Sequence, residues 1–224
     1  MLARMSRLVD LSHVVEHGMD TYPGLPGPVI SDHLSRAESR SRYAPGTEFQ
    51  IGRIDMVANT GTYLDTPAHR YADGMDLAGV PIEAVAGLDG CVVRMPAGAG
   101  PVLGPELFAG LSLAGRAVLV HTGWDRHWRT EAYGAGHPHL GVAAVEALVA
   151  ARPALVGIDS VNIDGTADGT RPAHSALLGA GILIVEHMTG LSALPDDGFR
   201  FYAVPVKVAG MGTFPVRAFA DVPG

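Results

Sequence analysis

Between residues 117 and 158 the chain reads AVLVH at Ala117–His121, GVAAVEALVAA at Gly141–Ala151 and ALVGI at Ala154–Ile158. The outer two runs are short, apolar and rich in Val, Leu and Ile, which predicts strands. The middle run repeats its apolar positions at helical spacing and opens on Gly141. Strand, helix and strand in that order predict a parallel pair joined by a crossover helix, right-handed by the general rule. A third strand is expected at Ile182–Glu186 (ILIVE), after a glycine-rich turn.

Upstream of this unit the pattern changes. Leu8–Val15, Ile51–Ala58 and Gly90–Met95 read as short strands separated by turn-rich loops. One loop, Thr21–Pro28 (TYPGLPGP), holds three prolines and two glycines and is expected to be a shaped surface loop. Strands in the first half and β/α alternation in the second predict an α/β (α+β) fold. No linker or repeat interrupts it, so a single domain over residues 1–224 is expected.

Composition narrows the function. The chain has 47% hydrophobic and 17% charged residues, the balance of a packed globular enzyme. A net charge of −7, with only Lys207 as lysine and scattered arginines, excludes a phosphate-backbone surface and hence nucleic acid as partner. No apolar run approaches the ~20 residues of a membrane span, and the N-terminal MLARMSRLVDLSH lacks the apolar core of a secretory signal. Cys91, the one cysteine, lies in the apolar run CVVRM and reads as a buried structural thiol. A cytoplasmic location is the expectation.

Asn59–His69 (NTGTYLDTPAH) carries the chemistry. Asp65 and His69 stand four residues apart, flanked by Gly61 and Pro67, as a loop would hold a carboxylate and an imidazole. His174 follows Pro172 at a helix start, and Glu186 ends an apolar strand, where a carboxylate needs a partner. His187 next to it reads as structural or solvated. The group His121, His127, His137 and His139 has no zinc-like spacing and reads as a solvated or lid-like loop, with His121 and Trp124 at a pocket wall. Asp159, Ser160 and Asp164 lack the G-x-S-x-G elbow of a serine hydrolase, and the glycines match no nucleotide fingerprint.

The same stretch resembles the motif His-x-Gly-Thr-His-x-Asp-x-Pro-x-His of the cyclase/kynurenine formamidase-like hydrolases. It matches at Gly61, Thr62, Asp65, Pro67 and His69 and departs at Asn59 and Tyr63, where that family has histidines. The likeness extends to LVDLSH (Leu8–His13), TYPG (Thr21–Gly24), HTGW (His121–Trp124), GIDSVNID (Gly157–Asp164), AHSALLGAGILIVE (Ala173–Glu186) and VAGMGTFPVRAFA (Val208–Ala220).

The resemblance implies the swivelling β/β/α fold, assembled as a homodimer or homotetramer, and a hydrolase acting on an amide, formamide, lactam or lactone of a small molecule. It makes His69 the general acid/base and Asp65, His174 and Glu186 the ligands of one divalent metal. It places Tyr22, Tyr63, Asn59 and Trp124 against the substrate. The other metal site of the family loses its ligands here. An Asn amide is a weak zinc donor, and Tyr63 would have to bind as phenolate. One zinc or manganese ion rather than two is therefore expected. The alternatives are a metal-free cyclase or isomerase using His69 as base and Tyr63 as phenolic donor, or a ligand-binding protein without catalysis.

Overall fold

A computed structural model describes residues 6–22, 24–167 and 169–224. Met1–Met5, Pro23 and Asp168 lie outside them, and so do the parts of the N-terminal and Thr21–Gly24 readings that fall on those residues. The strands are β1 (Arg7–Asp10), β2 (Val29–Leu34), β3 (Ile51–Asp55), β4 (Tyr63–Asp65), β5 (Ala86–Arg94), β6 (Val102–Leu103), β7 (Ala117–His121), β8 (His139–Leu140), β9 (Leu155–Ile158), β10 (Leu183–Glu186), β11 (Asp197–Tyr202), β12 (Thr213–Pro215) and β13 (Phe219–Val222). The helices are α1 (Arg36–Ser39), α2 (Val142–Ala151) and α3 (Pro172–Gly179).

Nine strands form one sheet in the order β1-β13-β11-β5-β7-β9-β10-β4-β12. Its centre, β5-β7-β9-β10, is parallel, and antiparallel pairs flank it on both sides. The parallel pair expected from the sequence is β7 with β9, Ala117 opposite Leu155. Continuous apolar runs serve there because both faces are covered. Leu119 and Ala117 point into one core with Leu155 and Phe201, while Val118 and Val120 point into the other with Leu148 of α2 and Leu177 of α3.

Two regions depart from the expectation. The stretch 51–58 pairs only as far as Asp55, and only with β2, in a separate hairpin where Ile51 is 47% and Ile54 57% exposed. The strand expected at 8–15 ends at Asp10, whose Oδ1 accepts the Ser12 amide and turns the chain out of the ladder. The motif itself also differs: Tyr63–Asp65 is a wholly buried strand wedged between β10 and β12, with a loop only after it. Its three residues are too few for a periodicity to register.

Candidate active site

The register of β4 builds the site. Glu186 is the cross-strand partner of Tyr63, and Thr213 that of Asp65. Residues opposite one another in a sheet share a face, so Tyr63, Asp65, Glu186 and Thr213 come to one side while Leu64 enters the core. Gly61, at φ +66°, supplies the left-handed residue that turns the chain into β4, and its amide donates to Thr21 Oγ1 at 3.2 Å. Thr62 Oγ1 donates to the His187 carbonyl at 2.5 Å and accepts the His13 amide at 3.0 Å, tying the strand to two neighbours. Past the strand, a short 3-10 turn at Pro67–His69 packs its backbone against Gly212, where any Cβ would overlap Ala68 and His69.

Thr213 links Asp65 to His69. Its hydroxyl lies in close contact with Asp65 Oδ1 and 2.8 Å from His69 Nδ1. An ionised carboxylate only accepts, so the Thr213 hydroxyl donates to Asp65 and accepts from the Nδ1–H of His69. In the neutral imidazole this places the proton on Nδ1 and the lone pair on Nε2. Asp65 itself is 3.8 Å from His69 and orients it through the threonine. With 33% of its side chain exposed, His69 is open to a substrate.

His174 occupies the first turn of α3, where Pro172 starts the helix. Asp164 accepts the amides of Ala173 at 2.6 Å and His174 at 3.0 Å, capping the helix from a neighbouring loop. Asp164 Oδ2 also accepts His174 Nδ1 at 2.7 Å. The other ring nitrogen, Nε2, then faces Asp65 Oδ2 at 3.7 Å and Glu186 Oε1 at 3.6 Å. Glu186 is held in turn by the Ile163 amide on Oε1 (2.7 Å) and the Tyr63 hydroxyl on Oε2 (2.6 Å).

Charge in this centre is strongly unbalanced. Burial raises the Glu186 carboxyl to about 7, with Asp65 adding repulsion and His174 offsetting part of it. Burial opposes a charge on His174, yet Glu186, Asp164 and Asp65 together raise it well above 6.5. Burial, then Glu186 and Asp65, push Tyr63 well above 10.0, so it stays a neutral phenol. Burial works to raise Asp164, but its hydrogen bonds from His174 and Ala173 hold it below the usual carboxylate range.

The residues present fit a divalent cation. Asp65 Oδ2 is buried without a hydrogen-bond partner, and His174 presents Nε2 with Nδ1 anchored on a carboxylate, as metal-binding histidines do. The buried acids also outnumber the buried cations. Ligand atoms of Asp65, His69 and His174 lie within 4.8 Å of one another. Glu186 stands outside this group of three, with Oε1 3.6 Å from His174 Nε2.

A cavity of about 280 Å³ opens over the centre, lined by Tyr22, Leu25, Asn59, Tyr63, His69, Arg70, Asn162, Arg171, His174 and Glu186 among others. Tyr22, Asn59, Tyr63, His69, His174 and Glu186 are thus brought together, with Asp65 buried behind them. Trp124 is not: its indole donates to the Tyr133 carbonyl at 2.9 Å, and it lines a separate concavity with Met95 and Pro138. His187, at φ +53°, is completely buried rather than solvated, with Nδ1 2.8 Å from the Tyr133 hydroxyl. His137 is buried too, bonded to the Asp164 carbonyl at 3.0 Å, and Cys91 is buried as expected. Asp159 accepts the amides of Thr122 and Gly123 and serves that turn. Thr213, Arg70 and Arg171 escaped the sequence reading. Asp164 was noted there as the last residue of GIDSVNID, but not as the anchor of His174.

The match of residues 9–165 to the model of the putative cyclase family shows that the chain belongs to that family. The kynurenine formamidase of Maricaulis maris (strain MCS10) is 25% identical over 222 residues, covering 96% of this chain and 97% of that protein. Isatin hydrolase A from Labrenzia aggregata, solved with benzyl benzoate, superposes with a TM-score of 0.82 at 24% identity, covering 98% of this chain and 94% of the other. A potential metal-dependent hydrolase with cyclase activity superposes at 0.80 and 22% identity, over 98% and 100%. The expected fold is confirmed by these superpositions. No helix among the described residues is long and apolar enough to cross a membrane.

Proposed function

We propose that this chain is a hydrolase that opens an amide, formamide or lactam bond of a small aromatic molecule. The observation that carries the reading is the Asp65–Thr213–His69 chain of hydrogen bonds, which engages Nδ1 of His69 beside a cavity floored by His174 and Glu186. The names of the relatives, a kynurenine formamidase and an isatin hydrolase, support amide chemistry.

In this reading Asp65, His174 and Glu186 hold one divalent ion, zinc or manganese. When bound, such an ion supplies Lewis acidity that polarises a carbonyl and brings a water near pKa 7. His69 Nε2 takes the proton from the attacking water and returns it to the leaving nitrogen. The Asp65 carboxylate, through Thr213, stabilises the imidazolium that forms in between. Tyr63 holds Glu186 in place, and Tyr22 and Leu25 exclude water from the aromatic ring of the substrate. The volume, at the low end of the ~300–1,000 Å³ usual for small-molecule sites, suits one or two rings.

The metal-free alternative needs the Tyr63 hydroxyl as oxyanion donor, but that proton is committed to Glu186 at 2.6 Å. Homo-oligomers belong to the same proposal. Ile51 and Ile54 on the exposed hairpin are apolar surface suited to a second copy. The test is turnover of formanilides and isatin-type lactams by the purified protein, with elemental analysis. H69A is expected to keep its metal and lose roughly 10²–10⁴ in kcat. Full activity in H69A would exclude this mechanism.

A further inference from the structure

Asn162 lines the cavity with half of its carboxamide committed and half free. It is only 7% exposed, in the loop that follows β9. Its Oδ1 accepts the Asp164 amide at 2.9 Å, closing an Asx turn. Only the oxygen of a carboxamide can accept, so this bond fixes which way the group faces and sets Nδ2 on its other side. Among the described residues Nδ2 donates to no protein group, and its N–H groups open on the cavity rather than on the protein interior. Buried amide donors are ordinarily paired, so a pair left open at a cavity wall is available to a ligand.

The loop that carries Asn162 is tied down on every side. The Ile163 amide donates to Glu186 Oε1 at 2.7 Å, and the Ile163 carbonyl accepts the Leu140 amide at 3.0 Å. The Asp164 carboxylate holds His174 Nδ1 at 2.7 Å, and the Asp164 carbonyl lies 3.0 Å from His137 Nε2. The free N–H groups of Asn162 are therefore one residue from the amide that grips Glu186 and two from the carboxylate that grips His174. Strand order brings His69 to the same place: β9, β10 and β4 are neighbours in that order, so Asn162 and His69 follow the two strands that flank Glu186. The rings of His69 and His174 are 5.8 Å apart between centroids. A donor held this firmly needs no rearrangement when charge develops in front of it.

We propose that Asn162 is a catalytic residue whose Nδ2–H donates to the carbonyl oxygen of the bond being cleaved and binds it more tightly as that oxygen becomes an oxyanion. In the step it serves, the water oxygen bonds to the carbonyl carbon and its proton passes to His69. The C=O π pair moves onto the oxygen that faces Asn162. When that pair returns, the C–N bond breaks and His69 gives the proton to the leaving nitrogen. A carboxamide suits a site crowded with carboxylates, because it donates without carrying charge or losing a proton. The inference rests on the hydrolase reading above for its reaction, while the donor itself is open to a binding measurement.

The experiment compares N162A with wild type on formanilide. It also compares their binding of 2,2,2-trifluoroacetophenone, which adds water to give a tetrahedral oxygen centre, with that of planar acetophenone. N162A is expected to lose roughly 10²-fold in kcat with KM nearly unchanged. The wild type binds the trifluoro ketone more tightly than acetophenone, and N162A loses about tenfold or more of that preference. Because N162A also removes the acceptor of the turn, N162D is the second variant. Its carboxylate still accepts the Asp164 amide but has no N–H to donate, so its kcat falls at least as far. N162S, whose hydroxyl can both accept and donate, keeps part of the activity. A kcat within about twofold of wild type in N162A or N162D, or a loss confined to KM, overturns the assignment. So does a ketone preference that is absent from the wild type or unchanged in N162A. If the wild type does not turn over formanilide, the hydrolase reading fails, and the ketone preference still decides the donor.

Discussion

The two regions that meet at Tyr63 are built on opposite chemistry. On one side three buried carboxylates, Asp65, Asp164 and Glu186, surround a single imidazole, His174. On the other, Tyr63 packs on a set of neutral rings: His187 at 5.2 Å between centroids, Tyr133 bonded to His187, and His13 stacked on Trp128 at 3.9 Å. Burial lowers His187 to about 3 and His13 to about 4, so both stay uncharged. Acids concentrated in a low dielectric demand a cation, whereas neutral aromatics demand only packing. With Asn59 and Tyr63 in place of histidines, the second side packs against the centre and holds Glu186 without offering metal donors.

The largest break of this contrast is on the acidic side. H174A is expected to lose the bound divalent metal and at least about 10³-fold in activity, whereas Y63F keeps the metal; metal content of both, purified in parallel, checks it. Equal metal loss in the two variants would falsify the division. A smaller effect is expected for D164N, which spoils the Nδ1 anchor of His174: metal affinity falls roughly 10- to 100-fold by competition titration with a chelator. Converting the neutral side gives the reverse test. N59H combined with Y63H is expected to raise the ion content from one toward two per chain, because imidazole replaces an amide and a phenol as donor.

The smallest expected effect is on stability and concerns the neutral side alone. His13 has a folded pKa of about 4 against 6.5 when unfolded, because burial disfavours its charge. Between those values the unfolded chain binds more protons, so stability is full above pH 6.5 and falls as the pH drops toward 4. His13 is half-buried, and solvent screening reduces its share to about 1–2 kcal/mol. Urea unfolding of wild type and H13Q at pH 7 and pH 4.5 should show a smaller pH dependence in the variant. An identical dependence would remove His13 from the neutral set.

Residues read from the sequence mapped unevenly onto this contrast. Asp65 and His69 were legible because a fixed register of Gly, Thr, Asp, Pro and His resembles a known motif, and Asn59 and Tyr63 follow from that register. His174 and Glu186 were legible through the likeness of AHSALLGAGILIVE, and Tyr22 through that of TYPG. Trp124, placed at the pocket by a similar likeness in HTGW, faces another concavity, because its indole answers to the Tyr133 carbonyl. The motif was read as a loop, since a three-residue strand has no period to detect and its burial comes from β10 and β12.

The sequence by itself determined the parallel β7–β9 unit with its helix, the class of the fold and the acid–imidazole residues of the centre. Continuous apolar runs and a fixed motif are local properties, readable without partners. Only the tertiary structure decided that Thr213, 148 residues from Asp65, sets the tautomer of His69. It also decided that Asp164 anchors His174, that Tyr63 serves Glu186 as a hydrogen-bond donor, and that Arg70 and Arg171 line the cleft. Periodicity tells which face a side chain takes, but strand order and register choose its neighbours, and those neighbours set protonation and charge.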